Sequence, residues 1–189
     1  MKLYIKNMIS NRCKIVVKSE LEKLGLHYTT MESGEVELLE NVSAELQDRL
    51  NFRLKKLGFS LLNDKKSILI EKIKIIIIEL VFSQIKLKTN FSDYLSAKLD
   101  YDYTYLANLF SENQHTTIEQ FYLNIKIERV KELLIFDELN LTEIAYKLHY
   151  SSVAHLSTQF KKMTGLTPTQ YKLLIHKRRN PNEKISESY

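Results

Sequence analysis

Residues 96–110 read SAKLDYDYTYLANLF and residues 145–162 read AYKLHYSSVAHLSTQFKK. Each contains Lys-Leu-(Asp/His)-Tyr ahead of a stretch whose apolar residues recur at helical spacing. A tight turn between two crossing helices needs one residue with left-handed backbone. Gly suits it best, and Asn, Asp and His are the next most tolerant types. Asp100 and His149 occupy that slot, so each copy reads as the end of one helix, a turn, and a second helix. Tyr101 and Tyr150 are expected to plug the angle between the two. The second helices are expected over about 102–112, with Leu106, Leu109 and Phe110 inward, and over about 152–163, with Leu156, Phe160 and Met163 inward. Copy two has one more residue between its Tyr and its Phe. Helix-turn-helix is an arrangement whose second helix can enter a major groove of DNA.

Around the second copy, Asn140-Leu-Thr-Glu143 fits a capping box that starts a helix with Leu141, Ile144, Ala145 and Leu148 inward. Between the copies, Thr116-Thr-Ile-Glu119 fits another. The helix it starts should run to about Phe136, with Ile118, Phe121, Tyr122, Ile125, Val130, Leu133 and Leu134 on its apolar face. About twenty helical residues span roughly 30 Å, against roughly 34 Å for one turn of B-DNA. A helix of that length can hold two reading heads about one groove repeat apart. After Gly165, Thr167 as cap and Pro168 at the first position predict a short closing helix, with Tyr171 and Leu174 folding back on the core.

The first sixty residues alternate strand and helix signals. Strands are expected over 3–7, 27–31, 35–39 and 59–62, with a turn at Ser33-Gly34. Helices are expected from Cys13 to Leu24, through Ile15, Val16, Leu21 and Leu24, and over 44–57, through Leu46, Leu50, Leu54 and Leu57. The order βαββαβ gives one small antiparallel sheet with two helices on one face. Between the two regions, Asn63 or Asp64 can cap a helix from about Lys65 to Lys86. Leu69, Ile73, Ile76 and Leu80 form a coiled-coil-like seam there, widened by Ile70, Ile77 and Val81. The seam suits either a helix packed between domains or a homodimer contact.

With 44% apolar residues but only 4 Gly and 2 Pro, the chain favours helices and can bury a core. A single Cys excludes an internal disulfide and fits a reducing compartment. The N-terminus MKLYIKNMIS lacks the apolar core of a secretory signal. The run IEKIKIIIIELVF is interrupted by charges, whereas a membrane span needs about 20 mostly apolar residues. The expectation is a cytoplasmic protein without a membrane partner. Net charge is +5, yet residues 91–171 carry seven Lys+Arg against ten Asp+Glu, so charge alone does not mark that region as nucleic-acid binding. Basic residues concentrate instead at 65–90 and 172–179.

Four stretches together carry a resemblance: YTYLANLF (103–110), IERVKELL (127–134), LTEIAYKLHYSS (141–152) and HLSTQFKKMTGLTPTQY (155–171). They resemble the AraC-type DNA-binding domain, two helix-turn-helix units joined by a long helix, over nearly half the chain. The ending F-K-x-x-x-G-x-T-P-x-x-Y, Phe160 to Tyr171, is its most specific part. Asp100 and His149 replace the family's usual turn glycines, and Thr158 stands where the second reading helix usually has arginine. By position, the exposed face of the first reading helix is Tyr103, Thr104, Ala107 and Asn108, and Asn can pair with adenine. The second offers Ser152, Val153, His155, Ser157 and Thr158, with Val153 and Ala154 able to meet a thymine methyl. The resemblance implies phosphate contacts by Lys161, Lys162, Thr167 and Thr169.

The loop NMISNRC resembles the Met-x-Cys-x-x-Cys loop of heavy-metal-associated domains, which share the ferredoxin-like βαββαβ order. Met8 and Cys13 match, but Ser10 stands in place of the first cysteine. A soft cation wants at least two thiolates, and Cys13 supplies one. Cys13 is thus the weak candidate in a loop expected to hold no metal, with Met8 as core filler. A redox-sensitive Cys13 at a helix N-terminus beside Arg12 and Lys14 is the functional alternative.

The expected fold is α+β. A ferredoxin-like domain (1–63) precedes a connector helix (64–89), an all-α double helix-turn-helix domain (90–177) and a disordered tail (178–189). The leading function is a sequence-specific transcription regulator, not an enzyme, that binds double-stranded DNA without a cofactor. A homodimer would form through the connector helix or the N-terminal domain. The alternative is a metal carrier, or a metal- or redox-sensing protein, acting through the N-terminal domain.

Overall fold

The structure, a computed structural model, describes residues 1–83, 85–136 and 138–179. These group into two compact units. One is Met1–Ile77 with Thr89–His115, and the other is Ile78–Lys88 with the described residues from Thr116 onward. The grouping divides the helix after the sheet at Ile77 and assigns the two helix-turn-helix elements to different units.

The first unit begins β1 (Lys2–Lys6), α1 (Asn11–Glu22), β2 (Tyr28–Glu32), β3 (Glu35–Leu38), α2 (Ala44–Lys56) and β4 (Ser60–Leu62). The four strands form one antiparallel sheet in the order β2-β3-β1-β4. Alternation along β1 decides what covers each face. Leu3 and Ile5 are buried with Val36 and Leu38 against Val17, Leu21, Leu50 and Leu54 of α1 and α2. Met8 is fully buried in the same core. The α1 stripe differs from the sequence expectation. Val17, not Ile15 or Val16, is in phase with Leu21 at i, i+4, and Ile15 is 66% exposed. Leu57 is also outward, because the chain reverses at Gly58 (φ +85°) and Phe59 takes the inward place.

The helix α3 (Lys65–Ser83) starts at Asp64, whose carboxylate accepts the Ser67 amide at 2.8 Å, and covers the opposite face of the sheet. There Lys72 lies over the Tyr4 ring, and a Cβ at Gly34 would meet Ile75 Cδ1. Asn7 turns the chain after β1 with φ +68°, and its amide donates to the buried Glu71 carboxylate at 2.7 Å. The seam residues Leu69, Ile73 and Leu80 are buried within the single chain, while Ile76 is half-buried. The helix ends before the expected Lys86: its apolar period stops at Phe82, and Ile85 is 60% exposed.

The first unit closes with α4 (Phe91–Leu99) and α5 (Tyr103–Gln114). The second unit contains α6 (Ile118–Phe136), α7 (Leu141–Lys147), α8 (Val153–Thr164) and α9 (Pro168–Arg179). Its core joins Val130, Leu133 and Leu134 of α6 to Ile144, Leu148, Leu156 and Phe160. The α6 cap is Thr117 rather than Thr116, with the Gln120 amide donating to its hydroxyl oxygen. The closing helix is longer than expected. Thr167 and Gln170 cap it reciprocally, and Tyr171 meets Phe160 edge-on at 5.4 Å. Leu174 is outward. Residues 178–179, expected in the tail, are helical, and 180–189 lie outside the described residues. No helix of the described residues is long and apolar enough to cross a membrane.

Candidate nucleic-acid interface

The two turns have the backbone that their sequence implies. Asp100 has φ +58° and His149 φ +54°. In the first, Asp102 caps α5, its carboxylate accepting the amides of Thr104 and Tyr105. In the second, the Asn140–Glu143 capping box closes α7, and the Tyr150 amide donates to Ala145 O across the turn. Ser152 then caps α8 by accepting the His155 amide at 3.0 Å.

The extra residue of the second copy lies in the turn, not in the helix. Both α5 and α8 have twelve residues, with Leu106 or Leu156 fourth and Phe110 or Phe160 eighth. These anchors are buried in each helix, so the opposite faces match position by position. The tyrosines after the turns diverge. Tyr150 is buried, donates its hydroxyl to Gln159 Oε1 at 2.8 Å, and so fills its interhelical angle. Tyr101 instead is 48% exposed and stacks on Tyr105 at 5.5 Å. With one residue fewer before the helix, its ring does not enter the angle. This exposed aromatic pair was missed in the sequence because Tyr101 read as the twin of Tyr150.

Among the expected base readers, Thr104 and Asn108 are exposed on one side of α5, while Tyr103 and Ala107 are half-buried. On α8, Ala154, His155 and Thr158 are exposed, Ser157 is half-buried, and Val153 packs partly against the core. Ser152 lies just before the helix, with its hydroxyl oxygen used as the cap. His155 is held by Ser151, 2.9 Å from Nδ1, and by an edge contact to Tyr150. Lys161 and Lys162 extend the exposed face into the last turn of α8, where cations also suit the helix dipole. Thr169 is exposed, and Thr167 is half-buried as the α9 cap.

The N-terminal loop presents little metal chemistry. Ser10 caps α1 by accepting the Cys13 amide, and its Oγ lies 3.2 Å from Cys13 Sγ. Burial pushes the Cys13 thiol up, but hydrogen bonds from Ser10 and the helix start outweigh it and leave it below the usual thiol value. His27 is beside Glu40. Among the described residues, no group of three or more His, Cys, Asp or Glu side chains could hold a metal ion.

Residues 95–173 match the family model described as a helix-turn-helix domain. An uncharacterised HTH-type transcriptional regulator of Pseudoalteromonas carrageenovora is 32% identical over 69 residues, 36% of this chain and 40% of that one. The chain therefore spans well under half the length of that curated relative. The C-terminal domain of AraT, a response regulator from Geobacillus stearothermophilus, superposes with a TM-score of 0.52 at 22% identity, over 67% of this chain and 94% of that one. The DNA-binding domain of AdpA, a global transcriptional factor solved with a target DNA, superposes at 0.51 with 15% identity, over 60% and 97%. At such identities the two structures show a shared fold.

Proposed function

We propose that this chain is a sequence-specific DNA-binding transcription regulator in which α5 and α8 each enter a major groove of one duplex. The observation that carries the reading is the matched build of the two helices. Each is set on its neighbour by a left-handed turn, anchored by Leu and Phe on one side, and polar and exposed on the other. The matched fold is that of DNA-binding regulators rather than of enzymes. Asn108 reads an adenine and Thr104 an adjacent base. Ala154 and Val153 meet a thymine methyl, and His155 and Thr158 donate to base edges. Tyr103, Ala107 and Ser152 border these contacts. Lys161, Lys162, Thr167 and Thr169 hold phosphates.

The ten acids against seven bases over 91–171 make phosphate attraction weak. Affinity then depends on dimerisation or on the basic segments at 65–90 and 172–179. Fluorescence anisotropy on a duplex across a salt series tests this. Lys161→Ala should weaken binding to all sequences and lower the salt slope by about 1. An unchanged slope in that variant and in Lys162→Ala removes α8 from the interface.

For the N-terminal sheet, the reading is a ferredoxin-like module akin to heavy-metal-associated domains that no longer binds metal. The βαββαβ order and the strand order β2-β3-β1-β4 support it. Its role is dimerisation or sensing in the cytoplasm. Dimerisation by this module is favoured over a contact through α3, whose seam is occupied by its own chain.

A further inference from the structure

Sequence periodicity puts Lys126 beside the apolar stripe of α6, and the fold buries it, leaving 8% of its surface exposed. Its ammonium nitrogen lies 3.9 Å from the centre of the Tyr150 ring and 5.5 Å from that of Tyr122. No ion pair neutralises it among the described residues, and the α6 acids Glu128 and Glu132 are engaged by Lys131 and Arg129. A buried cation is ordinarily paired with an anion. Aromatic faces compensate only part of the lost hydration.

The same side chain lines a cavity of about 190 Å³ within the second unit. Leu80, Val81, Ile85 and Leu87 form one apolar wall, and Tyr122 and Leu148 form another. Among the described residues, every remaining lining side chain is basic: Lys86, Lys147 and His149 beside Lys126, with no Asp or Glu. Pockets for drug-sized molecules occupy roughly 300–1,000 Å³, so the guest is smaller. It needs one negative group for Lys126 and an apolar body for the walls. Inorganic phosphate has the charge without the body.

We propose that this cavity is a binding site for a small organic carboxylate, whose carboxylate pairs with Lys126 while its hydrocarbon part fills the space against Leu80, Val81 and Leu148. Leu148 and His149 belong to the turn before α8, so the guest lies against the base of the second reading helix. That link to DNA rests on the DNA-binding reading; occupancy of the cavity does not.

Burial lowers the Lys126 ammonium to about 8. Tyr122 and Tyr150 are held protonated by burial, and Tyr150 also by Tyr122. A bound carboxylate therefore raises the lysine midpoint.

The test uses the full chain without DNA, so its failure and the failure of the DNA reading are separate results. Sodium hexanoate and sodium benzoate are titrated against the chain and followed by amide and lysine side-chain NMR. Hexanol and inorganic phosphate serve as controls. At least one acid should bind saturably, shift the amides of Leu148 and Tyr150, and raise the Lys126 midpoint. Lys126→Met should weaken that acid at least tenfold while keeping the wild-type circular dichroism. The lysine titration of the unmodified chain decides the matter if the variant fails to fold. Absence of saturable binding by both acids, an equal response to phosphate or hexanol, an unmoved lysine midpoint, or unchanged affinity in folded Lys126→Met would each overturn the assignment.

Discussion

The phenol of Tyr150, in the turn before α8, donates to Gln159 Oε1 at 2.8 Å from inside the core of the second unit. The bond ties the turn to the second turn of α8, so the exposed face of that helix is fixed by a group that sees little solvent. Tyr150→Phe keeps the ring and its contact with Lys126 but removes the bond to the half-buried Gln159 amide, which can then turn to water. Unfolding in urea should show a loss of about 1 kcal/mol. The same change at exposed Tyr101 should be close to neutral.

Lys126 gives the stability curve an alkaline limb. In the unfolded chain it loses its proton near the ordinary 10.5, in the folded chain near 8. Between those values the unfolded chain binds more protons, so stability rises with pH, by roughly 3 kcal/mol at about 1.4 kcal/mol per pKa unit. Below pH 8 both states are charged and the gain is absent. Urea midpoints from pH 7 to 10 should climb in wild type. In Lys126→Met this limb should disappear, with a midpoint at pH 7 equal to or above wild type.

The left-handed turns can be improved. Asp100→Gly and His149→Gly remove a side chain from a conformation that costs a non-glycine residue roughly 1 kcal/mol. Asp100→Gly should raise the thermal midpoint by a few degrees, while His149→Gly also forfeits the contacts of its imidazole, so its gain should be smaller. Asp100→Gly also deletes a negative charge two residues from the α5 cap, so it should bind DNA more tightly at low salt, an effect lost at high salt. An Ala at either position, with the same φ imposed, should give no such gain.

Much of this was legible in the sequence because it depends on local chemistry. The left-handed slots at Asp100 and His149, the Asn140–Glu143 box and the Gly165 stop each follow from a few neighbouring residues. The buried anchors of α5 and α8 follow from one helical period. What was not legible depends on partners far away in the chain. Ile15, Val16 and Val17 are equally apolar, and only packing on the sheet picks Val17. The coverage of the second sheet face by α3 and the burial of Lys126 against Tyr150 are also long-range facts. In the candidate interface, exposure of Thr104, Asn108 and Thr158 follows from the period. The diversion of Ser152 to a cap and the half-burial of Val153 do not.

Glu20 joins the two helices of the N-terminal module. Its carboxylate accepts Lys23 Nζ and Arg53 Nε, both at 2.6 Å, while its side chain is nearly enclosed. Hydrogen bonds from Lys23 and then Arg53 hold its pKa below the ordinary value. A lowered carboxylate pKa stabilises the fold above the unfolded value and is lost as pH falls through the folded one. Glu20→Gln should therefore destabilise at pH 7, and its deficit should shrink toward pH 3. A constant deficit would assign the effect to packing.

The most direct measurement is selection of duplexes by the full chain from a randomised pool at low salt, repeated with Asn108→Ala and Thr158→Ala. The account predicts one enriched motif with two half-sites about one helical turn apart. Asn108→Ala should relax one half-site and Thr158→Ala the other, each by about 1–3 kcal/mol of discrimination. A pool that stays random, or a motif that neither substitution alters, would contradict it.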